Sequence, residues 1–370
     1  MSGLTAIADK NMIYETPLPP SASNRFKKGK DKFLLVIGKW DFSAIGKFLC
    51  DGINKYVKGW RARCIVSNPH SFRWPTDLLE KDIDYNEMKQ LYHMADFILY
   101  TSSSYYYKPH GITPPPNIPR GIWHGGVFYR QNYEFINELI HPHFDYIFTH
   151  YDLVNLSDRN IELQAPIDTE KYKFNKKKWN GKLIIGHSPS RREVKKTEVF
   201  LKAFKILDKK FPNILIQELI EKVHYDESME RKKECHIFFD QILQRYIPEK
   251  CKKTRGYGTS LIEAGSFGSI CLCDTDRANN SPIIRVRNKN DIVREISKLI
   301  NNRNGLEKLS KQTRRWVEKT HDIEILAKYF IDQISDTREI NIINNRLILR
   351  LNKPLRLMEI SGWNGGMGIK

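Results

Sequence analysis

The chain has 370 residues, 40% hydrophobic and 28% charged, which is the composition of a folded globular protein and leaves room for two α/β domains of about 150 to 200 residues each. No apolar run approaches the roughly 20 residues that cross a bilayer. The opening residues lack the basic start, apolar stretch and small-residue cleavage site of a secretory signal, so a cytoplasmic protein is expected. The formal charge is +18, with basic clusters RFKKGKDK from Arg25, NKKKWNGK around Lys176, RREVKK from Arg191 and KCKKTR from Lys250. Such a field suits polyanions: donor phosphates, an anionic membrane surface met peripherally, or DNA. It equally suits a lysine-rich surface that is simply solvated.

In chain order, Phe33 to Ile37 (FLLVI) reads as a strand, followed by a helical stretch from about Ser43 to Tyr56. Arg63 to Val66 and Asp96 to Tyr100 repeat the strand pattern, with a helix around Glu87 to Met94 between them. Gly121 to His124 and Tyr146 to Thr149 complete the first series. Alternating strands and helices predict a parallel sheet covered on both faces. The polar, lysine-rich segment Asp168 to Gly181 reads as a linker. A second series follows: a strand at Lys182 to Ile185, a helix at Thr197 to Lys209 with Thr197 as its N-cap, and strands at Ile214 to Leu219, His236 to Phe239 and Ile270 to Cys273. Helices are predicted at Asp291 to Ile300 and Ile323 to Ile334. The fold class expected is α/β with two doubly wound domains, at 1–168 and 169–335, and a terminal segment 336–370 that packs back on the first.

The stretch RGYGTSLIEAGSFGS, Arg255 to Ser269, carries the strongest chemical signal. Gly256 and Gly258 permit a tight turn into a helix that starts near Ser260, and a helix start offers free N–H groups and a positive dipole end to a diphosphate. Glu263, placed in the first turn, can reach ribose hydroxyls. The same Ser260-x-x-Glu263 spacing also makes a capping box in which the two residues serve only each other's backbone. In the same half, strand KLIIG runs into HSPSRREVKK, where Arg192 and Lys195 lie three apart at the mouth of a helix and can share one anion. A solvated helix start is the bland alternative for both cations.

The six scattered cysteines form neither CxxC pairs nor a disulfide framework, and Cys271 and Cys273 read as buried thiols in an apolar strand. His141, His143, His150 and Asp145 offer metal-ligand chemistry without a diagnostic spacing.

On these residues the sequence resembles the retaining glycosyltransferases of the GT-B fold, the group called glycosyl transferases group 1 or family 4. HSPSxRxxK, FDQ and GYGTSLIEAGSFG, in that order, look like the donor domain, and PIDTEKY, Pro166 to Tyr172, looks like the interdomain passage. In the first half the likeness rests on FLLVIGKWDFSAIGKFL and on IWHGG at Ile122 to Gly126. The resemblance implies two facing Rossmann-like domains with an interdomain cleft, a nucleotide-diphosphate-sugar donor of the UDP-sugar kind, hexosyl transfer with retention, and neither a cofactor nor a metal. It implies that Arg192 and Lys195 neutralise the diphosphate. Ser188, Tyr257, Gly258, Thr259 and Ser260 would line the donor, and Glu263 would hold the ribose. His124 would face the donor sugar as a catalytic residue, and Gly46 would sit in the loop where donor and acceptor meet.

The sequence departs from the pattern at three places. Arg255 stands where the family has a glutamate that contacts the transferred sugar, Lys196 replaces the usual glycine after the diphosphate lysine, and QILQRYIPEKCKKT is longer and more basic than the usual connection. The acceptor implied is a glycan, a lipid-linked precursor or a modified DNA base. A non-catalytic nucleotide-sugar or glycan-binding protein is the alternative from another class. A phosphorylase of the same architecture fits poorly, since no lysine context suggests a pyridoxal cofactor.

Overall fold

A computed structural model describes residues 29–243, 255–275 and 281–335. Half of the cluster from Arg25 and most of the cluster from Lys250 fall outside these residues, as do Cys251, most of the long basic connection and the proposed 336–370 segment. Both sheets lie within one compact unit, 1–330; of a second unit, 331–370, only the end of the last helix is described.

The first sheet is formed by β1 (Lys32–Gly38), β2 (Trp60–Val66), β3 (Leu78–Leu79), β4 (Phe97–Thr101), β5 (Arg120–His124), β6 (Tyr146–Thr149) and β7 (Asn160–Glu162), in the order β3-β2-β1-β4-β5-β6-β7. The second contains β8 (Leu183–His187), β9 (Leu215–Leu219), β10 (Ile237–Phe239), β11 (Ile270–Cys273) and β12 (Ile284–Arg285), in the order β12-β11-β10-β8-β9. Every pairing is parallel. Leu34, Leu35, Val36 and Ile37 are all fully buried, which is why β1 reads as an unbroken apolar run. The helices are α1 (Ile45–Tyr56), α2 (Tyr85–Met94), α3 (Gly126–Phe135), α4 (Arg192–Lys195), α5 (Thr197–Lys210), α6 (Tyr225–Glu234), α7 (Thr259–Ser266), α8 (Lys289–Asn301), α9 (Leu306–His321) and α10 (Ile323–Ser335).

A core packs on each sheet, around Leu35, Ile37 and Ile98 on the first and around Ile185, Phe200 and Phe239 on the second. Each sheet reverses its strand order once, between β1 and β4 and between β8 and β10, so the loops leaving those strands border the crevices where open α/β sheets take ligands.

The strands expected from sequence recur within a few residues. The short edge strands β3, β7 and β12 and helices α3, α6 and α9 were not anticipated. Three residues have too weak a period to register, and α6 (YDESMERKKE) is nearly all polar. The capping expectation for α5 is corrected. Its N-cap is Lys196, in the left-handed region, and the buried Thr197 hydroxyl instead pairs with His187 Nε2 at 2.9 Å.

The passage between the sheets is held by one cation. Arg314, buried on α9, donates to the carbonyls of Thr169 (2.7 Å), Tyr172 (2.6 Å) and Ser266 (2.6 Å). Beside it, Ile167 and Asp322 form a parallel bridge. Replacing Arg314 by methionine strands three buried carbonyls, and urea unfolding should show a loss of about 3 kcal/mol or more.

Candidate functional site

The reversal point of the second sheet gathers the residues on which the resemblance turns. The loop leaving β8 passes Ser188 and enters α4, which carries Arg192 and Lys195. The chain leaving β10 begins with Asp240, and α7 opens beside it with Gly258 as N-cap. Lys195 Nζ donates to Asp240 Oδ1 at 2.8 Å, and the Gly258 N–H donates to Asp240 Oδ2 at 2.6 Å. Gly258 has an ordinary negative φ of −86°. Its lack of a side chain is explained by space, because a Cβ there would run into Lys195 Nζ and Asp240.

Arg192 and Lys195 are therefore not brought onto one anion in this structure. Arg192 turns outward and makes a two-pronged bond to Glu221 at 2.8 and 2.7 Å, with Glu198 at 3.1 Å, while Lys195 turns inward. They are the first and last residues of the four-residue α4, and the nearest carboxylates on either side decide where each cation rests.

Lys196 has φ 58° and ψ 42°. That is the left-handed conformation glycine adopts without cost, so the backbone keeps the shape that the family's glycine would favour although the glycine itself is gone.

Two expectations for Glu263 are corrected. It is the fifth residue of α7, beyond the first turn, and no capping box forms, since Gly258 is the N-cap and has no side chain to accept a bond. The buried Glu263 carboxylate accepts from the equally buried Lys232 Nζ of α6 at 2.5 Å. Ser260 Oγ contacts the Ser188 carbonyl at 3.5 Å. The Tyr257 hydroxyl pairs with His321 Nε2 at 3.0 Å, and its ring lies 5.2 Å from that of Tyr151.

The first sheet meets this site through a few contacts. The hydroxyls of Ser43 and Thr259, just ahead of α1 and at the start of α7, lie 2.8 Å apart. Tyr151 OH donates to the Arg255 carbonyl at 2.6 Å, and the Tyr225 N–H donates to the Phe72 carbonyl at 2.7 Å. Ser43 and Ala44 have φ of 60° and 53°, a strained approach worth about 1 to 3 kcal/mol per residue, of a kind that gathers at functional sites.

Gly46 does not sit in a loop. It is the second residue of α1, its N–H donates to Asp41 Oδ1 at 2.9 Å, and a Cβ would meet Val36 at 2.9 Å and Cys64 at 3.0 Å. Its glycine is a packing requirement between helix and sheet.

His124 is also enclosed. Its Nδ1 pairs with Ser103 Oγ at 2.8 Å, its Nε2 with His141 Nε2 at 3.1 Å, and its ring stacks on Tyr129 at 4.2 Å. With both nitrogens engaged inside the first domain, the imidazole has no ring atom to present to a donor in this arrangement. The Asp145 carboxylate accepts from the Arg120 N–H at 2.8 Å. Among the described residues no group of three or more His, Cys, Asp or Glu side chains could hold a metal.

Arg255 donates to the fully buried Asp274 at 2.5 Å, so the residue in the family's sugar-contacting position is tied to the sheet behind it. Asp240 and Lys232, which hold the two principal candidates, were missed. Asp240 stands in the FDQ triplet, but only contact across β10 and α4 reveals its partner.

No family model matches the chain, and no curated protein does. Solved structures share its fold. An alpha-glucosyltransferase in complex with UDP and a 13-mer DNA containing a central A:G mismatch aligns with TM-score 0.54 at 15% identity over 82% of this chain and 100% of that one. Anabaena HepE in complex with UDP and glucose aligns with TM-score 0.57 at 9% identity over 82% and 99%. AviGT4, a glycosyltransferase involved in avilamycin A biosynthesis, gives 0.50 at 12% over 82% and 97%. The chain thus has the fold of these proteins, two Rossmann-like α/β domains in the GT-B arrangement.

Burial holds the His141 and His187 imidazoles down at about 4, against an ordinary 6.5. Both are neutral when folded and take up protons when unfolded, so stability is full above pH 6.5 and falls as pH drops towards 4. Unfolding free energies from urea titration at pH 7.5 and 5.0 should differ by about 2 kcal/mol for each imidazole. Gly46→Ala should cost about 1 to 3 kcal/mol of stability to urea through overpacking. Lys196→Gly should unfold later than Lys196→Ala by about 1 kcal/mol.

Proposed function

We propose that this protein is a glycosyltransferase that moves a hexosyl group from a nucleoside-diphosphate sugar, of the UDP-sugar kind, to an acceptor hydroxyl with retention of configuration. The observation that carries the proposal is the convergence, at one sheet reversal point, of the Lys195 ammonium with the start of α7, on which Glu263 also lies. A diphosphate needs a cation and unpaired N–H groups in one place, and Lys195 supplies the first and the start of α7 the second.

In this mechanism the donor lies against α7, with Thr259 and Ser260 at its phosphates and Glu263 at the ribose. As the sugar leaves, charge grows on the diphosphate, and Lys195 and the helix dipole meet it. They take the role that a bound divalent ion plays in other transferases. The acceptor hydroxyl approaches from the face the diphosphate vacates, and the departing phosphate accepts its proton. Arg192 joins only if it exchanges Glu221 for the donor.

The residues 1–168 form the acceptor domain and 169–335 the donor domain. The acceptor proposed is anionic, a glycan, a lipid-linked precursor or modified DNA, in keeping with the charge of +18. The protein works in the cytoplasm, with peripheral contact to such a surface; among the described residues no helix is long and apolar enough to cross a membrane.

One observation favours a second reading, a nucleotide-sugar-binding protein without transfer. Arg255 is committed to Asp274 where the resembled family has a glutamate for the sugar.

A thermal-shift panel of nucleotides and nucleotide sugars tests the proposal. A nucleoside diphosphate should stabilise the wild type by several degrees and Lys195→Ala markedly less, and turnover of Lys195→Ala should fall about a hundredfold. Glu263→Gln is the better partner variant, because its amide oxygen can still accept from the buried Lys232 ammonium, which alanine would leave without an acceptor. Stabilisation with neither donor hydrolysis nor transfer would select the binding-protein reading. No response to any nucleotide would sink both.

A further inference from the structure

We propose that Asp240 is a positioning residue for the diphosphate site, holding the Lys195 ammonium and the entry to α7 in register; this rests on the donor reading above. Asp240 is 1% exposed, and its own N–H donates to the Leu272 carbonyl at 2.9 Å, which pins its main chain to β11. Its two carboxylate oxygens are divided between the two halves of the site. Oδ1 accepts from Lys195 Nζ at 2.8 Å, and Oδ2 accepts from the Gly258 N–H at 2.6 Å with Cys273 Sγ at 3.6 Å. One rigid anion thus links the β8 exit loop to the α7 entry loop, 45 and 18 residues away in the chain.

The chemistry suits holding rather than competing. An ammonium carries three donors, so the bond to Asp240 leaves two for a ligand. Gly258 is the N-cap, and its N–H precedes the leading N–H groups of the helix, which Asp240 therefore leaves available to phosphate oxygens. A lysine side chain has four rotatable bonds, and fixing its head before the donor arrives removes an ordering cost from binding. The Lys195 side chain is 12% exposed, so the head is held at the edge of solvent and not sealed beneath it.

Calorimetric titration of the whole chain with UDP, and with uridine as the phosphate-free control, tests this in the wild type, Asp240→Asn, Asp240→Glu, Lys195→Ala and the double variant Lys195→Ala/Asp240→Asn. Both Asp240 variants should weaken UDP about tenfold and leave uridine unchanged. In the Lys195→Ala background Asp240→Asn should add less than a twofold further loss, because the amide oxygen can still accept from the Gly258 N–H and what the variant removes is its hold on the lysine. Asp240→Glu keeps the charge and displaces it by one methylene, so it serves if the amide variant folds poorly. Unchanged or tighter UDP binding in the Asp240 variants would overturn the proposal and make Asp240 a bystander or a competitor. Fully additive losses, or equal losses for UDP and uridine, would overturn it in favour of a general structural role. Failure of the wild type to bind UDP or any other nucleoside diphosphate would instead remove the donor reading itself.

Discussion

The Arg314 guanidinium is the interaction on which the arrangement of the second domain depends. It sits under the passage from the first sheet to the second and takes carbonyls from Thr169 and Tyr172 on that passage and from Ser266 at the end of α7. The passage and the helix that would receive the donor are thereby tied to the same side chain. His321, at the end of the same helix, accepts or donates at Nε2 with the Tyr257 hydroxyl and bonds the Ala165 carbonyl through Nδ1 at 2.9 Å. Helix α9 therefore grips the loop before α7 as well as the helix end behind it.

The two sheets solve one problem in the same way. Each has a helix starting at its reversal point with donors that need an acceptor, and each supplies a buried aspartate from the preceding loop. Asp41 accepts from the N–H groups of Gly46 and Lys47 at 2.9 and 2.8 Å, and Asp240 accepts from Gly258. The difference lies in the remaining partners. Burial pushes the Asp41 carboxyl up to about 6, and its oxygens serve its own helix start. Asp240 divides its oxygens between a helix entry and a lysine from another loop. The first arrangement closes a helix end, whereas the second also fixes a cation.

Much of this was legible in the sequence because parallel strands buried on both faces leave unbroken apolar runs. FLLVI, YIFT and ICLC mark β1, β6 and β11 within one or two residues. The glycine-rich entry to α7 and the basic exit from β8 were equally plain. Partners were not, because they depend on contacts across strands. Ser260-x-x-Glu263 has the spacing of a capping box, yet a buried lysine on α6 outbids the backbone for the glutamate. Arg192 and Lys195 share a spacing, but opposite carboxylates, Glu221 and Asp240, draw them apart. His124 faces a donor sugar only through the resemblance, while Ser103 and His141 take both its nitrogens.

The large positive charge also reads differently once its members are placed. Lys177 of the basic linker cluster is buried, bonds the Lys233 carbonyl, and is brought down to about 8 by that burial. Arg314 serves three carbonyls, and Arg255 is tied to Asp274. These cations belong to the scaffold. A charge that is partly spent inside the fold projects a weaker field than its formal sum suggests, so attraction to a polyanion must come from the lysines and arginines that stay at the surface. Lys195 is the exception that matters, since it is held by a scaffold carboxylate and still lies where a phosphate could reach it.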